Sequence, residues 1–284
     1  MVRIISSEED EQGTIHRADH AQVATLTLGR GRFNAITGAF ADQLVTALSE
    51  CGADPAVRAI VLTGAGRSFS VGADLTAGPA SIRAELVADG AAAPGYREPA
   101  GRITVRMAEL GKPVIAAVNG DAIGGGATIT LAADLRFAAD TARFGFPFTR
   151  LGVCPEGAST YFLPRLVGPS RAADWLLSGR LVGAVEAERS GLVNRVLPVG
   201  QVLAAAQEYA RELAATTSPA AVAATRALLG AGPGTVVEAS DAESRAIVAL
   251  AAGADCEEGV AAFLQHRSPR FTSADSAQSL TSPR

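Results

Sequence analysis

From Val23 onward the chain alternates short apolar runs with longer stretches of helical periodicity. The segments 23–28 (VATLTL), 59–64 (AIVLTG), 113–120 (PVIAAVNG), 135–140 (LRFAAD) and 193–198 (VNRVLP) are rich in branched residues and mostly closed by Gly or Asp, which predicts strands. Between the first two, Phe40, Leu44, Val45 and Leu48 fall on one face of a helix. Strands separated by helices pair in parallel through crossover connections. The unbroken apolar run VIAAV predicts a strand covered on both faces. An α/β core is therefore expected over residues 10–200. After Pro198 the strand pattern stops, and the segments 200–216, 219–230, 235–252 and 255–266 are Ala-, Leu- and Glu-rich with turn signals between them. They predict a helical C-terminal segment over 201–271, serving as a cap on the core or as an oligomerisation element. Residues 272–284 lack apolar content and are expected to be disordered. The Ala/Gly/Pro mix of 76–99 predicts a loop with a short helix around SIRAELVAD, where a lid could sit.

Composition narrows the function classes. Across 284 residues, 48% are hydrophobic and 19% charged, which suits a packed core and excludes a disordered chain. A net charge of -4 argues against a nucleic-acid partner, which would want a basic face. The most apolar stretch, 114–139, is interrupted by Asn119, Asp121 and Asp134, so it reads as buried core and not as a span of about 20 apolar residues. No membrane partner is expected. Cys51, Cys154 and Cys256 have no CxxC spacing, and neither a metal site nor a disulfide framework is predicted. With a polar, acidic N-terminus unlike a signal peptide, they fit a reducing, cytoplasmic location.

Two glycine-bearing turns are candidates for chemistry: 64–75 (GAGRSFSVGADL) after one predicted strand and 119–134 (NGDAIGGGATITLAAD) after another. Both put small residues where backbone N–H groups can face a ligand. In the second, Gly124, Gly125 and Gly126 lead into an apolar helix whose first amides lack intrahelical acceptors. A P-loop and a nucleophile elbow are both missing, and His16, His20 and His266 lie at the chain ends, which argues against a Ser-His-Asp site. Read by themselves, the turns also fit a purely packing role for glycine.

Six blocks in order carry a resemblance over nearly the whole chain: 31–37 (GRFNAIT), 58–75 (RAIVLTGAGRSFSVGADL), 112–138, 142–168 (ARFGFPFTRLGVCPEGASTYFLPRLVG), 178–198 and 257–271. They resemble the crotonase (enoyl-CoA hydratase/isomerase) family. The resemblance implies a spiral of ββα units with a helical C-terminal segment, assembled as trimers or hexamers. It implies an acyl-CoA substrate, with coenzyme A entering as part of that substrate and no separate cofactor. In such proteins two amides, here those of Ala73 and Gly125, bind the thioester oxygen. By the same analogy Arg32, Phe33, Asp74 and Leu75 hold the CoA portion, with Gly124, Thr128 and Phe148 nearby.

Departures from the family pattern point to the reaction. Family hydratases carry one carboxylate two residues after the GGG run and a second in an FGxPE block. Thr128 and Phe148 stand at those places here. Hydration needs a base for water and an acid for C2, so weak hydratase activity is expected. Glu156, in LGVCPEG, matches the base of the Δ3,Δ2-enoyl-CoA isomerase-like branch. A single carboxylate there would shuttle a proton from C2 to C4, within an apolar wall of Phe146, Phe148, Leu151 and Val153. Glu156 also precedes a predicted helix, where an acid is stabilising for dipole reasons alone. Another crotonase-type reaction (hydration, hydrolysis, decarboxylation) and a non-catalytic acyl-CoA-binding relative stay open as alternatives.

Overall fold

The computed structural model describes residues 13–75, 78–80, 94–231 and 234–272. The expected helix around SIRAELVAD and nearly all of the 272–284 tail lie outside the described residues.

The opening hairpin pairs β1 (Thr14–His20) antiparallel with β2 (Val23–Gly29). Helix α1 (Gly38–Ala53) follows, capped by the Thr37 side chain, which accepts from the Phe40 amide. Its buried face is Phe40, Leu44, Leu48 and Cys51, with Val45 half-buried at the margin. The next strands, β3 (Ala59–Gly64) and β4 (Ser68–Ser70), flank the first glycine turn. Helix α2 (Pro99–Glu109) then leads to β5 (Val114–Val118), β6 (Asp121–Ile123) and α3 (Gly125–Leu131). Strands β7 (Leu135–Ala139) and β8 (Arg143–Gly145), a 3-10 turn (Pro147–Leu151), α4 (Ser159–Val167) and α5 (Pro169–Ser178) come next. Strand β9 (Leu181–Gly183), α6 (Ala184–Arg189) and β10 (Arg195–Leu197) complete the strand-bearing part.

Two sheets result. The larger runs β1-β2-β3-β5-β7-β10 and is parallel except for the β1/β2 hairpin; the smaller runs β4-β6-β8-β9, antiparallel only at β8/β9. All residues of β3 and β5 are buried, as a strand covered on both faces requires. One cover is α7 (Val202–Thr216), whose Ala206, Ala210 and Ala214 recur every fourth residue and let the helix lie close on the sheet. The other is the smaller sheet, whose β4 packs on β3 and β5.

Beyond α7 lie α8 (Pro219–Gly230), α9 (Val236–Ala251) and α10 (Ala254–Leu264). They are tied back by two arginines. Arg226 of α8 donates to Asp134 at 2.8 Å and to the carbonyls of Met107 and Leu110. Arg58 donates to the carbonyls of Ala214 and Phe271. Val236, Val237, Ile247, Val248, Phe263 and Leu264 are exposed on α9 and α10. None of the described helices is long and apolar enough to cross a membrane.

Candidate active site

The two glycine turns are locked to each other before any ligand is considered. Asn119 accepts from the Gly64 amide and donates to the Gly66 carbonyl, so the second turn grips the first. Buried Asn34 donates to the carbonyls of Ala65, Ser68 and Phe69, with its own backbone in the left-handed region at φ 53°. Space is tight where the turns meet. A Cβ on Gly72, whose φ is 77°, would lie 2.8 Å from the Gly125 nitrogen; one on Gly126 would lie 2.1 Å from the Ser70 carbonyl. Only glycine permits this approach. The Gly125 amide belongs to the first turn of α3, where N–H groups have no intrahelical acceptor.

The turns form one wall of a cavity of about 710 Å³, through Val71, Ala73, Leu75, Ile123, Gly124 and Gly125, with Ile36 bridged to Ala73 beside them. The opposite wall is the start of α2 (Glu98, Pro99, Ala100) and the stretch from Pro147 to Ala158, including Phe148, Leu151, Val153, Cys154 and Glu156. A pocket of this size, mostly apolar with a few polar groups, suits a small-molecule ligand. The Glu156 carboxyl lies against the glycine wall: a Cβ on Gly125 would stand 2.8 Å from its Oε1. Removal from water and then the charge of Glu98 push the Glu156 carboxyl up to about 7. A carboxyl at that value exchanges protons readily near neutrality. The cap position of α4 is Ala158, and Glu156 contributes only its carbonyl there, accepting from the Ser159 amide.

Among the residues anticipated from sequence, Ala73, Leu75, Gly124, Gly125, Phe148 and Glu156 share this cavity. Arg32, Phe33, Asp74 and Thr128 do not line it. Arg32 stacks over the exposed Phe33 ring at 5.0 Å, and Asp74 pairs with Arg30 at 3.3 Å, both on the loops beside the glycine wall. Thr128 is fully buried behind the wall, its methyl group filling the space beside Gly157. Phe146 is likewise buried behind the lining, not part of it. Asp121 and Asp134 have structural partners: Arg143 for the first, Arg226 and the Val114 amide for the second.

Glu98 was not anticipated. It lines the cavity, and its Oε1 accepts from the Gly157 amide, next door to Glu156. The sequence does carry a signal for it. An acid followed by Pro99 at the first helical position, then an amphipathic PAGRITVRMAE, marks a helix start. That signal is masked because the Ala/Gly/Pro-rich 76–99 segment reads as loop up to its end. Among the described residues the site holds two carboxyls, where the sequence pointed to one. Among the described residues no cluster of three or more His, Cys, Asp or Glu is placed to hold a metal.

Comparison with known proteins decides the family. Residues 18–274 match the family model described as enoyl-CoA hydratase/isomerase. The chain belongs to the enoyl-CoA hydratase/isomerase family. The family acts on acyl-CoA thioesters. Among curated relatives, an enoyl-CoA hydratase of Alternaria alternata is 36% identical over 255 residues, covering 89% of this chain and 83% of that protein. A probable enoyl-CoA hydratase of Mycobacterium tuberculosis is 34% identical over 252 residues, covering 88% and 95%. A solved probable enoyl-CoA hydratase/isomerase from Mycobacterium abscessus superposes with a TM-score of 0.82 at 38% identity, covering 92% of this chain and 99% of that one. The α/β crotonase fold expected from the sequence is the fold observed.

Proposed function

We propose that this enoyl-CoA hydratase/isomerase family enzyme moves the double bond of a 3-enoyl-CoA to the 2-trans position, with Glu156 as the proton shuttle. The observation that carries the reading is the Glu156 carboxyl, held near pKa 7 and directly against Gly125 in an apolar cavity. In this reading the thioester oxygen accepts from the amides of Ala73 and Gly125. Glu156 takes a proton from C2; the C–H pair becomes the C1–C2 bond of a dienolate, and negative charge gathers on the oxygen. The protonated Glu156 then delivers the same proton to C4 as the double bond settles between C2 and C3. Fixed amides favour the charged intermediate over the neutral thioester, which is where catalytic advantage arises. No water is consumed, so an apolar wall of Phe148, Leu151 and Val153 is an asset. Coenzyme A enters and leaves with the substrate, and Arg32, Phe33 and Asp74 beside the mouth are the proposed contacts for it.

A second reading is hydration, and the specific observation in its favour is Glu98. With Glu156 it supplies two carboxyls to one cavity, the number that water addition needs. The names of the curated relatives lean the same way. Assay with trans-3-hexenoyl-CoA and crotonyl-CoA separates the two. Isomerase function requires that the 3-enoyl ester be converted much faster than crotonyl-CoA is hydrated; fast hydration with the 3-enoyl ester untouched refutes it.

Assembly as trimers or hexamers is proposed as well, supported by the exposed apolar side chains of α9 and α10. A monomer in light scattering would refute that. Three free thiols fit the proposed reducing, cytoplasmic setting.

A further inference from the structure

We propose that Glu98 is a positioning residue: it clamps the backbone turn that carries Glu156 and imposes a fixed negative charge on that carboxyl. The proposal rests on Glu156 being the working base. Its geometric ground is the way Glu98 is wedged. Oε1 accepts from the Gly157 amide at 2.5 Å, while a Cβ on Gly101 would meet Oε2 at 2.6 Å and Oε1 at 2.7 Å. The carboxylate is thus pressed between the first turn of α2 and the peptide that follows Glu156. Gly157 itself sits at φ 59° with no room for a Cβ, because Thr128 and Ala100 occupy the space. A turn so confined, and hydrogen-bonded at the residue after the base, holds the Glu156 side chain against Gly125.

Among the described residues lining the cavity there is no cation beside the Glu98 charge. The titratable groups among those described residues are Glu98, Cys154 and Glu156. On the packed elements Arg102 reaches Asp42 and the Gly38 carbonyl, Arg106 faces Glu109, Arg150 donates to the Ser178 carbonyl and Arg165 to the Tyr161 carbonyl. Asp74 is held by Arg30, and α3 carries no ionisable residue. Glu98 accepts from the Gly157 N–H and stands at the start of α2. Burial and then the neighbouring Glu98 raise the Glu156 carboxyl, so it is the group placed to hold a proton near neutrality. Hydration by a carboxyl pair would ask Glu98 to give up or gain a proton in each turnover; the clamp role asks it never to do so.

Glu98→Gln and Glu98→Ala separate charge from clamp, since the Gln carbonyl still accepts from Gly157. The expected result is that both variants shift the acid limb of kcat/KM for trans-3-hexenoyl-CoA downward by about half to one pH unit. The Ala variant also loses kcat, at least fivefold more than Gln does. The Glu156 carboxyl stretch in infrared titration, assigned by subtraction of Glu156→Gln, moves to lower pH by the same amount. An unmoved midpoint in both variants overturns the proposal. So does loss of crotonyl-CoA hydration by more than 100-fold in Glu98→Gln with the limb in place, which makes Glu98 an acid–base partner. The infrared readout needs no turnover. If Glu156→Gln still isomerises the 3-enoyl ester, the functional reading fails while the infrared titration continues to test Glu98.

Discussion

The two walls of the cavity are built on opposite plans. The glycine wall presents main-chain amides, and its shape is fixed by the absence of side chains: Gly72 and Gly126 leave no room for a methyl group. The facing wall presents side chains, and its chemistry is set by two carboxyls whose proximity to each other and to apolar lining matters. Amide donors do not titrate and are insensitive to pH; carboxyls are tuned by burial and neighbouring charge. The titratable groups of the described lining are thus concentrated in a single face.

Each wall can be broken separately. The largest effect is expected from Glu156→Gln, which removes the proposed base and leaves the amides in place. Turnover of trans-3-hexenoyl-CoA should fall by about 10³-fold, while calorimetric affinity for the acyl-CoA changes little. Gly72→Ala attacks the other wall by forcing a Cβ against the Gly125 nitrogen at a backbone angle unfavourable to alanine. Activity should drop by roughly 10²-fold, with an unshifted pH profile in whatever remains, because the carboxyl face is untouched. The wild-type kcat/KM should rise with pH through a single limb near 7, the value at which Glu156 becomes an unprotonated base.

A smaller, thermodynamic effect follows from the same carboxyl. Its folded-state value lies above that of the unfolded chain, so the folded state binds more protons between pH 4.5 and 7 and loses stability as pH rises through that window. Glu156→Gln abolishes this penalty. Its unfolding free energy should exceed wild type by on the order of 2 kcal/mol at pH 8 and by little at pH 4.5, read from denaturant titrations at the two values. The smallest effect belongs to Asp121→Asn, outside both walls. Its exposed pair with Arg143 should be worth at most about 0.5 kcal/mol, and activity should not change.

How far the sequence revealed this architecture depended on burial. The strands at 59–64 and 135–139 stand out because nearly every residue is buried, and branched apolar runs follow from that. The helices after residue 200 emerge within a residue or two of their predicted ends, marked by Ser218 and Thr235 as caps. The smaller sheet was invisible: β4, β6, β8 and β9 have three residues each, too few for any period to register. Strand β1 escaped because its TIHRADH lies at the sheet edge with almost no buried position to imprint a pattern. At the site, the glycine turns and Glu156 were legible through glycine placement and family resemblance. Glu98 was not, since its role depends on a contact 59 residues along the chain.

The pairing of β4 with β6 has a consequence for how such a molecule changes over generations. These short strands run side by side in parallel and deliver the Gly72–Ala73 and Gly124–Gly125 segments to one edge. The two amide-bearing segments are therefore mounted on a single jig, with their separation dictated by strand spacing and not by any replaceable side chain. Descendants can swap side chains on the opposite bank, at Phe148 or Glu156, without retooling the glycine vice.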